Sequence, residues 1–288
     1  MMQAPNIGEV VMHHTADAYS FGLGGAFPSL NLHWQRWPDL HLGPLTVNLT
    51  PTKHVVFLFI AAALVFLTMW VAGRKLERQR AGERAPSGFA NAVEAMVLFV
   101  RDEIAVANIG RGGEKFAPYI MTLFFFILYS NLLGLLPHGS TPTGNVAVTG
   151  ALAITAFLTI EISGFIALGP GGYFRTIFPK VPGLSGLGGA AMSIVMGPIE
   201  LIGKLVKPFA LAVRLFGNMT AGHFVILSLF GLIFLFGHLP LVPRWSIGIA
   251  TSALVLGIML LEIFVALLQA YVFALLTSVF IGLMQHEH

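Results

Sequence analysis

The sequence predicts an all-α polytopic membrane protein, with about five membrane segments and one interfacial amphipathic helix. Three observations predict it. Only 10% of the 288 residues are charged, 16 Lys and Arg against 13 Asp and Glu, while 56% are hydrophobic and 24 are Phe. An ordinary soluble protein carries about 25% charged residues and needs them to cover its surface. Apolar runs long enough to cross a bilayer recur along the chain. The charges are gathered rather than spread, since eight basic and six acidic residues lie between Arg74 and Lys115. The same composition excludes a disordered chain, and the absence of Cys excludes a disulfide scaffold, a thiolate metal site and a cysteine nucleophile. The net charge of +3 does not point to nucleic acid, because the basic residues are localised. The first twenty residues lack a basic stretch followed by an apolar one, so no cleavable signal peptide is expected.

Taken in order, residues 1–53 form an N-terminal segment and residues 54–288 a single membrane domain. Val55 to Ala72 is an uncharged apolar run that covers most of a ~30 Å hydrocarbon core at ~1.5 Å per residue. Phe116 to Leu136 is a second, rich in Phe, and Val146 to Leu168 a third, with one carboxylate, Glu161. Between the first two, Ser87 to Asn108 carries Phe89, Val93, Met96, Val97, Val100 and Ile104 at helical spacing, with Asn91, Glu94, Arg101 and Asp102 opposite. That pattern predicts a helix lying in the membrane interface. The last two stretches, Ala190 to Phe236 and Trp245 to Met284, would be ~70 Å and ~60 Å long as unbroken helices. Each must tilt steeply, bend or break, and Pro198 and Pro208 offer the first of them places to bend.

Lys and Arg counts orient the chain. Residues 1–53 hold two and residues 74–115 hold eight, so the positive-inside rule places the N-terminus outside and the 74–115 segment in the cytoplasm. One crossing by each of the last two stretches then leaves the C-terminus cytoplasmic. No internal repeat is evident, which weakens the main alternative, a proton-coupled secondary transporter.

The functional expectation rests on ionisable residues inside the last two stretches, where each costs ~2.5–3.5 kcal/mol on insertion scales. Arg214 cannot be deprotonated, so it is a fixed cation that needs an anion from elsewhere. Glu200 lies fourteen residues earlier, on nearly the same face and ~21 Å away along the axis. Asn218 follows Arg214 by one turn. His223 lies ~13 Å beyond Arg214 on roughly the opposite side. Glu and His exchange protons and Arg does not, so the pattern fits two proton paths separated by an electrostatic barrier. Glu262, the only charge between Trp245 and Met284, shares a face with Gln269, and His223 is its expected partner. Glu161 either supports such a polar cluster or sits near the cytoplasmic end of its helix, with the second favoured. His13, His14, His33, His41, His54, His286 and His288 match no zinc-site spacing and are read as solvated interface histidines. No phosphate loop, nucleophile elbow or zinc-protease motif occurs, and no cofactor is expected.

The run Arg214-Leu-Phe-Gly-Asn-Met-Thr-Ala-Gly-His223, preceded by Pro198-Ile-Glu-Leu-Ile and followed by Glu262 and Gln269-Ala-Tyr-Val-Phe, resembles subunit a of the F-type ATP synthase membrane sector. The similarity runs from about residue 54 to 285. It implies a non-catalytic stator whose two long tilted helices form a hairpin against a rotor ring of c subunits. Its other implied partners are b-type peripheral stalk subunits and the remainder of the synthase, in a bacterial inner membrane. Position by position, Arg214 matches the arginine that faces the rotor carboxylate. Asn218, His223, Glu262 and Gln269 match the outer half-channel, and Glu200 matches an acid near the cytoplasmic one. The common bacterial pattern has an acid where His223 stands and a histidine where Glu262 stands. This exchanged arrangement is also known from mitochondrial members, and it leaves open which residue takes the proton first.

Overall fold

A computed structural model describes residues 20–21, 32–33, 36–42, 45–47, 50–81, 88–110, 112–136, 139–178 and 187–286. His13, His14, Ser87 and His288, together with most of the N-terminal segment, lie outside the described residues. Two short antiparallel ladders precede the helices. Strands β1 (Ser20–Phe21) and β2 (Leu32–His33) pair Ser20 with His33, and β3 (Leu40–Leu42) and β4 (Leu45–Val47) pair Leu40 with Val47.

The helices follow the apolar runs. Helix α1 (Lys53–Ala81) outlasts its apolar run and carries the basic residues from Arg74 onward in its last two turns. The Arg74 guanidinium lies 4.1 Å over the Trp70 ring, a cation–π contact of the kind that anchors a span at the membrane surface. Helix α2 (Phe89–Phe99) passes through a π-helical turn, Val100–Val106, into the short α3 (Ala107–Ile109). The wider turn disturbs the regular ladder, and Asn108 Nδ2 donates to the carbonyls of Glu103 (3.1 Å) and Ile104 (2.9 Å). Val93, Val100 and Ile104 of the expected apolar face are buried, whereas Phe89 is exposed. Phe99 stacks on Tyr271 with centroids 6.1 Å apart, so this helix packs on the C-terminal helix.

Helix α4 (Gly113–Gly134) is the most enclosed of the candidate spans. A 3-10 turn, Pro142–Gly144, leads into α5 (Val146–Ile177). At Gly169 the backbone leaves helical geometry (φ 68°, ψ 173°), a conformation that glycine adopts without a Cβ penalty. Pro170 follows and has no N–H with which to continue the ladder. The sequence run that ends at Leu168 is therefore one helical piece, and residues 170–177 are a second. Helices α6 (Leu187–Leu235) and α7 (Leu241–His286) contain 49 and 46 residues. Pro198 and Pro208 lie inside α6, which stays helical through both. At ~1.5 Å per residue α6 is ~73 Å long, so it crosses a bilayer only with a steep tilt or a pronounced curve.

Among the described residues, five helices are long and apolar enough to span a membrane: Lys53–Arg74, Gly113–Gly134, Val146–Ile177, Ala191–Leu235 and Leu241–Gln285. Large apolar side chains such as Ile166, Phe209, Phe234 and Phe264 are exposed along them, as lipid-facing or partner-facing surfaces require. The chain gathers into two compact units. One comprises Met1–Val65, Phe126–Asn145 and Leu215–Gln269, and the other Phe66–Phe125, Val146–Arg214 and Ala270–His288.

Candidate functional site

The first unit collects His54 from the start of α1, the 139–145 connection, His223 from α6, and Glu262 and Gln269 from α7. Thr141 Oγ1 and His223 Nε2 share a hydrogen bond of 2.6 Å. His54, only 4% exposed, directs Nδ1 at the carbonyl of Thr141 (3.1 Å) and at Ser140 Oγ (3.1 Å). A carbonyl oxygen only accepts, so Nδ1 of His54 carries the hydrogen in that contact. Beside this chain, Thr143 Oγ1 donates to Asn131 Oδ1 (2.6 Å), and Asn131 Nδ2 reaches the carbonyl of Ala266 on α7 (3.5 Å).

Two glycines make room for these side chains. A Cβ at Gly134 would overlap the Thr141 hydroxyl and stand 3.0 Å from His223 Nε2. One at Gly222 would overlap the Glu262 carboxylate. Glu262 therefore lies against the α6 backbone at the residue preceding His223. It is buried, and its Oε2 has no hydrogen-bond partner among the described residues. Such an oxygen needs a proton, a water molecule or a partner to offset its desolvation. Gln269, two turns along α7, is buried in the same unit. Asn218 is exposed.

In the second unit α6 carries Glu200, half-buried, and Arg214, exposed. Lys204, one turn after Glu200, is buried. Its Nζ donates to Thr176 Oγ1 (2.9 Å), lies 3.7 Å from Glu161 Oε2 and sits 4.9 Å from the centre of the Tyr173 ring. The Tyr173 hydroxyl donates to the same Glu161 oxygen. At 3.7 Å the Lys204–Glu161 contact is an ion pair rather than a hydrogen bond. Glu161 belongs before the Gly169 bend, and Tyr173 and Thr176 after it. Lys207 points over the Phe280 ring at 4.9 Å.

Sequence reasoning named Glu200, Arg214, Asn218, His223, Glu262 and Gln269, gave Lys204 no role, and missed how these residues are held. His54 is not a solvated interface histidine: the 139–145 connection covers it, and two hydrogen bonds on Nδ1 take the place of water. Glu161 joins a polar cluster, with Lys204 as its counter-ion. Neither pairing had a local signal, because the partners lie 86 and 43 residues apart in the chain.

The profile of the family described as ATP synthase A chain matches residues 55–282. The chain is 43% identical to ATP synthase subunit a of Chloroherpeton thalassium, over 96% of its own length and 77% of the relative's. It is 41% identical to the subunit a of Anaeromyxobacter sp. (strain Fw109-5), over 98% and 72%. Against the subunit a of Myxococcus xanthus (strain DK1622) it is 42% identical, over 92% and 83%. With four-fifths of its residues inside the family profile and identity above 40% across almost its whole length, the chain belongs to the ATP synthase A chain family.

Proposed function

We propose that this chain is the proton-conducting stator of an F-type ATP synthase, with two offset half-channels that protonate and deprotonate carboxylates on a rotor ring of c subunits. Family membership supports the complex, and five apolar helices support an integral membrane subunit. The observation that carries the mechanism is the contrast along α6. Arg214 is exposed on a helix of span length, while His223 beyond it is half-buried and Glu262 of α7 is buried where it packs at Gly222. A permanent cation exposed on a membrane helix attracts anions, and in this reading it meets the ionised carboxylate of a rotor subunit.

The rotor carboxylate must be ionised to meet Arg214 and neutral to turn through lipid. Glu262, His223 and Gln269, with Asn218 nearer the arginine, bring a proton to it from the outer side. Glu200 receives one on the cytoplasmic side. Arg214 holds no exchangeable proton at working pH, so it separates the two paths and prevents a leak. A proton crossing the full potential releases ~2.3 kcal/mol per 100 mV, and several such steps are summed over a rotation. No covalent step on this chain is required. In this reading the N-terminus lies outside, the 74–115 segment and the C-terminus lie in the cytoplasm, and b-type subunits hold the stator in place.

Purification of the tagged chain in mild detergent tests the partner assignment. The expected result is co-purification of a small hairpin proteolipid ring and a soluble ATPase. Cysteine at Val213, an exposed neighbour of Arg214, should crosslink to the outer helix of a ring subunit. A complex that contains the ring but never crosslinks from this face would remove the stator reading of α6.

A further inference from the structure

We propose that Thr141 is a positioning residue of the outer half-channel, whose hydroxyl holds the His223 ring in place both before and after it takes up a proton. The inference rests on the stator reading above, which puts His223 on the proton path, and adds the residue that keeps its imidazole in register.

A group that carries protons changes its hydrogen-bonding character with every transfer. An imidazole nitrogen accepts when it bears no hydrogen and donates when it bears one. A carbonyl oxygen matches only the donating form, and an ammonium only the accepting form. A hydroxyl matches both, because it donates through its hydrogen, accepts through its lone pairs and rotates to exchange the two. The group against Nε2 of His223 is of that kind: Thr141 Oγ1, at 2.6 Å. Its oxygen can stay where it is while the proton arrives and leaves. Proton transfer needs heavy atoms within hydrogen-bond reach, so a ring that does not drift is ready for each turnover.

The surroundings hold this hydroxyl still. Thr141 is buried. Its carbonyl accepts from Nδ1 of His54 at 3.1 Å, which ties the 139–145 connection to the first turn of α1. Pro142 follows and disfavours helical backbone at the residue before it; Thr141 is extended, with φ −83° and ψ 111°. Branching at Cβ restricts the side-chain rotamer. At the end of α4, Gly134 leaves the space that the hydroxyl occupies, since a Cβ there would overlap Oγ1 and stand 3.0 Å from His223 Nε2. Backbone, rotamer and cavity thus converge on one oxygen beside one ring nitrogen. A threonine that merely closed a loop would need none of this placement.

The test uses the complete synthase reconstituted in vesicles, with ATP synthesis driven by an acid–base jump. Thr141→Val keeps nearly the same shape and removes the hydroxyl. It should slow synthesis by about tenfold, the loss expected when a hydrogen bond to a group that becomes charged is deleted. Assembly and the ATPase activity of the detergent-released soluble sector should be unchanged. Thr141→Ser returns the hydroxyl and should keep most of the rate. Added to His223→Ala, Thr141→Val should cost little more, because the hydroxyl then has no ring to hold. Wild-type synthesis in Thr141→Val would overturn the proposal, as would equal losses in Thr141→Val and Thr141→Ser, or the same fold-loss with and without the His223 ring. His223→Ala on its own separates the two levels. If it slows synthesis while Thr141→Val does not, only the role of Thr141 falls; if it runs at the wild-type rate, the place of His223 on the outer half-channel falls with it.

Discussion

The absence of a side chain at Gly222 admits Glu262 to the flank of α6, because a Cβ there would overlap the carboxylate. Gly222→Ala forces that carboxyl to move or α7 to withdraw, and overpacking of this kind costs ~1–3 kcal/mol. Proton-driven synthesis by the reconstituted complex should fall severalfold while the subunits still assemble, and Gly222→Ala at full activity would show that the position of Glu262 is not critical. The exchanged pair makes a second prediction at this scale. If His223 and Glu262 share one relay, His223→Glu combined with Glu262→His should recover more synthesis than the two single losses predict when summed in free energy, since residues of one network are not additive. A double-mutant cycle measures this directly, and additive losses would mean that the two residues act independently. The chemistry of these residues was legible in the sequence, because Arg, Glu and His within apolar runs stand out against their surroundings. The hydroxyl partners were not legible. Ser140, Thr141 and Thr143 are common loop residues, and only the fold brings Thr141 to both His54 and His223.

At the scale of elements, hydropathy and length were enough to locate each span, and the clustered basic residues marked where the first one ends. The bend at Gly169-Pro170, just past the end of the third apolar run, was not among the sequence expectations, although such a dipeptide punctuates any helix. What hydropathy could not give is how the two pieces of α5 are held. Lys204 bridges them, with Glu161 before the bend and Thr176 and the Tyr173 ring after it. Removing one partner leaves a buried charge uncompensated, at a cost of ~3–5 kcal/mol. Glu161→Gln should therefore lower the thermal stability of the complex in detergent by more than Glu161→Gln combined with Lys204→Met, which removes both charges. Equal losses would show that the ion pair does not clasp the bend. Lys204 stands one turn from Glu200 on α6, so loosening the clasp should also disturb the neighbourhood of that acid. Glu200→Gln itself, with little change of shape, should slow ATP-driven proton pumping without preventing assembly, and unchanged pumping across a range of pH would count against its place on the cytoplasmic path.

For the whole molecule, charge placement fixes more than composition does. A chain with 10% charged residues has few to spend within the membrane, yet α6 and α7 carry Glu200, Lys204, Lys207, Arg214, His223 and Glu262. Most of these have a visible role in packing or in a polar cluster: Lys204 clasps α5, Lys207 covers Phe280, His223 bonds Thr141, and Glu262 fits against Gly222. Arg214 is exposed on a helix of span length. The account assigns it the one task that no neutral or titrating residue performs, attracting an ionised rotor carboxylate while closing the direct route between the half-channels. Lysine is a poor substitute, since a desolvated ammonium can release its proton and lacks the planar fork of the guanidinium. The most direct measurement is ATP synthesis by the complete complex in vesicles after an acid–base jump, with Arg214→Ala compared with the unaltered chain and assembly verified in both. Arg214→Ala should abolish proton-driven synthesis while the detergent-released soluble sector still hydrolyses ATP; synthesis at near wild-type rates would contradict the account.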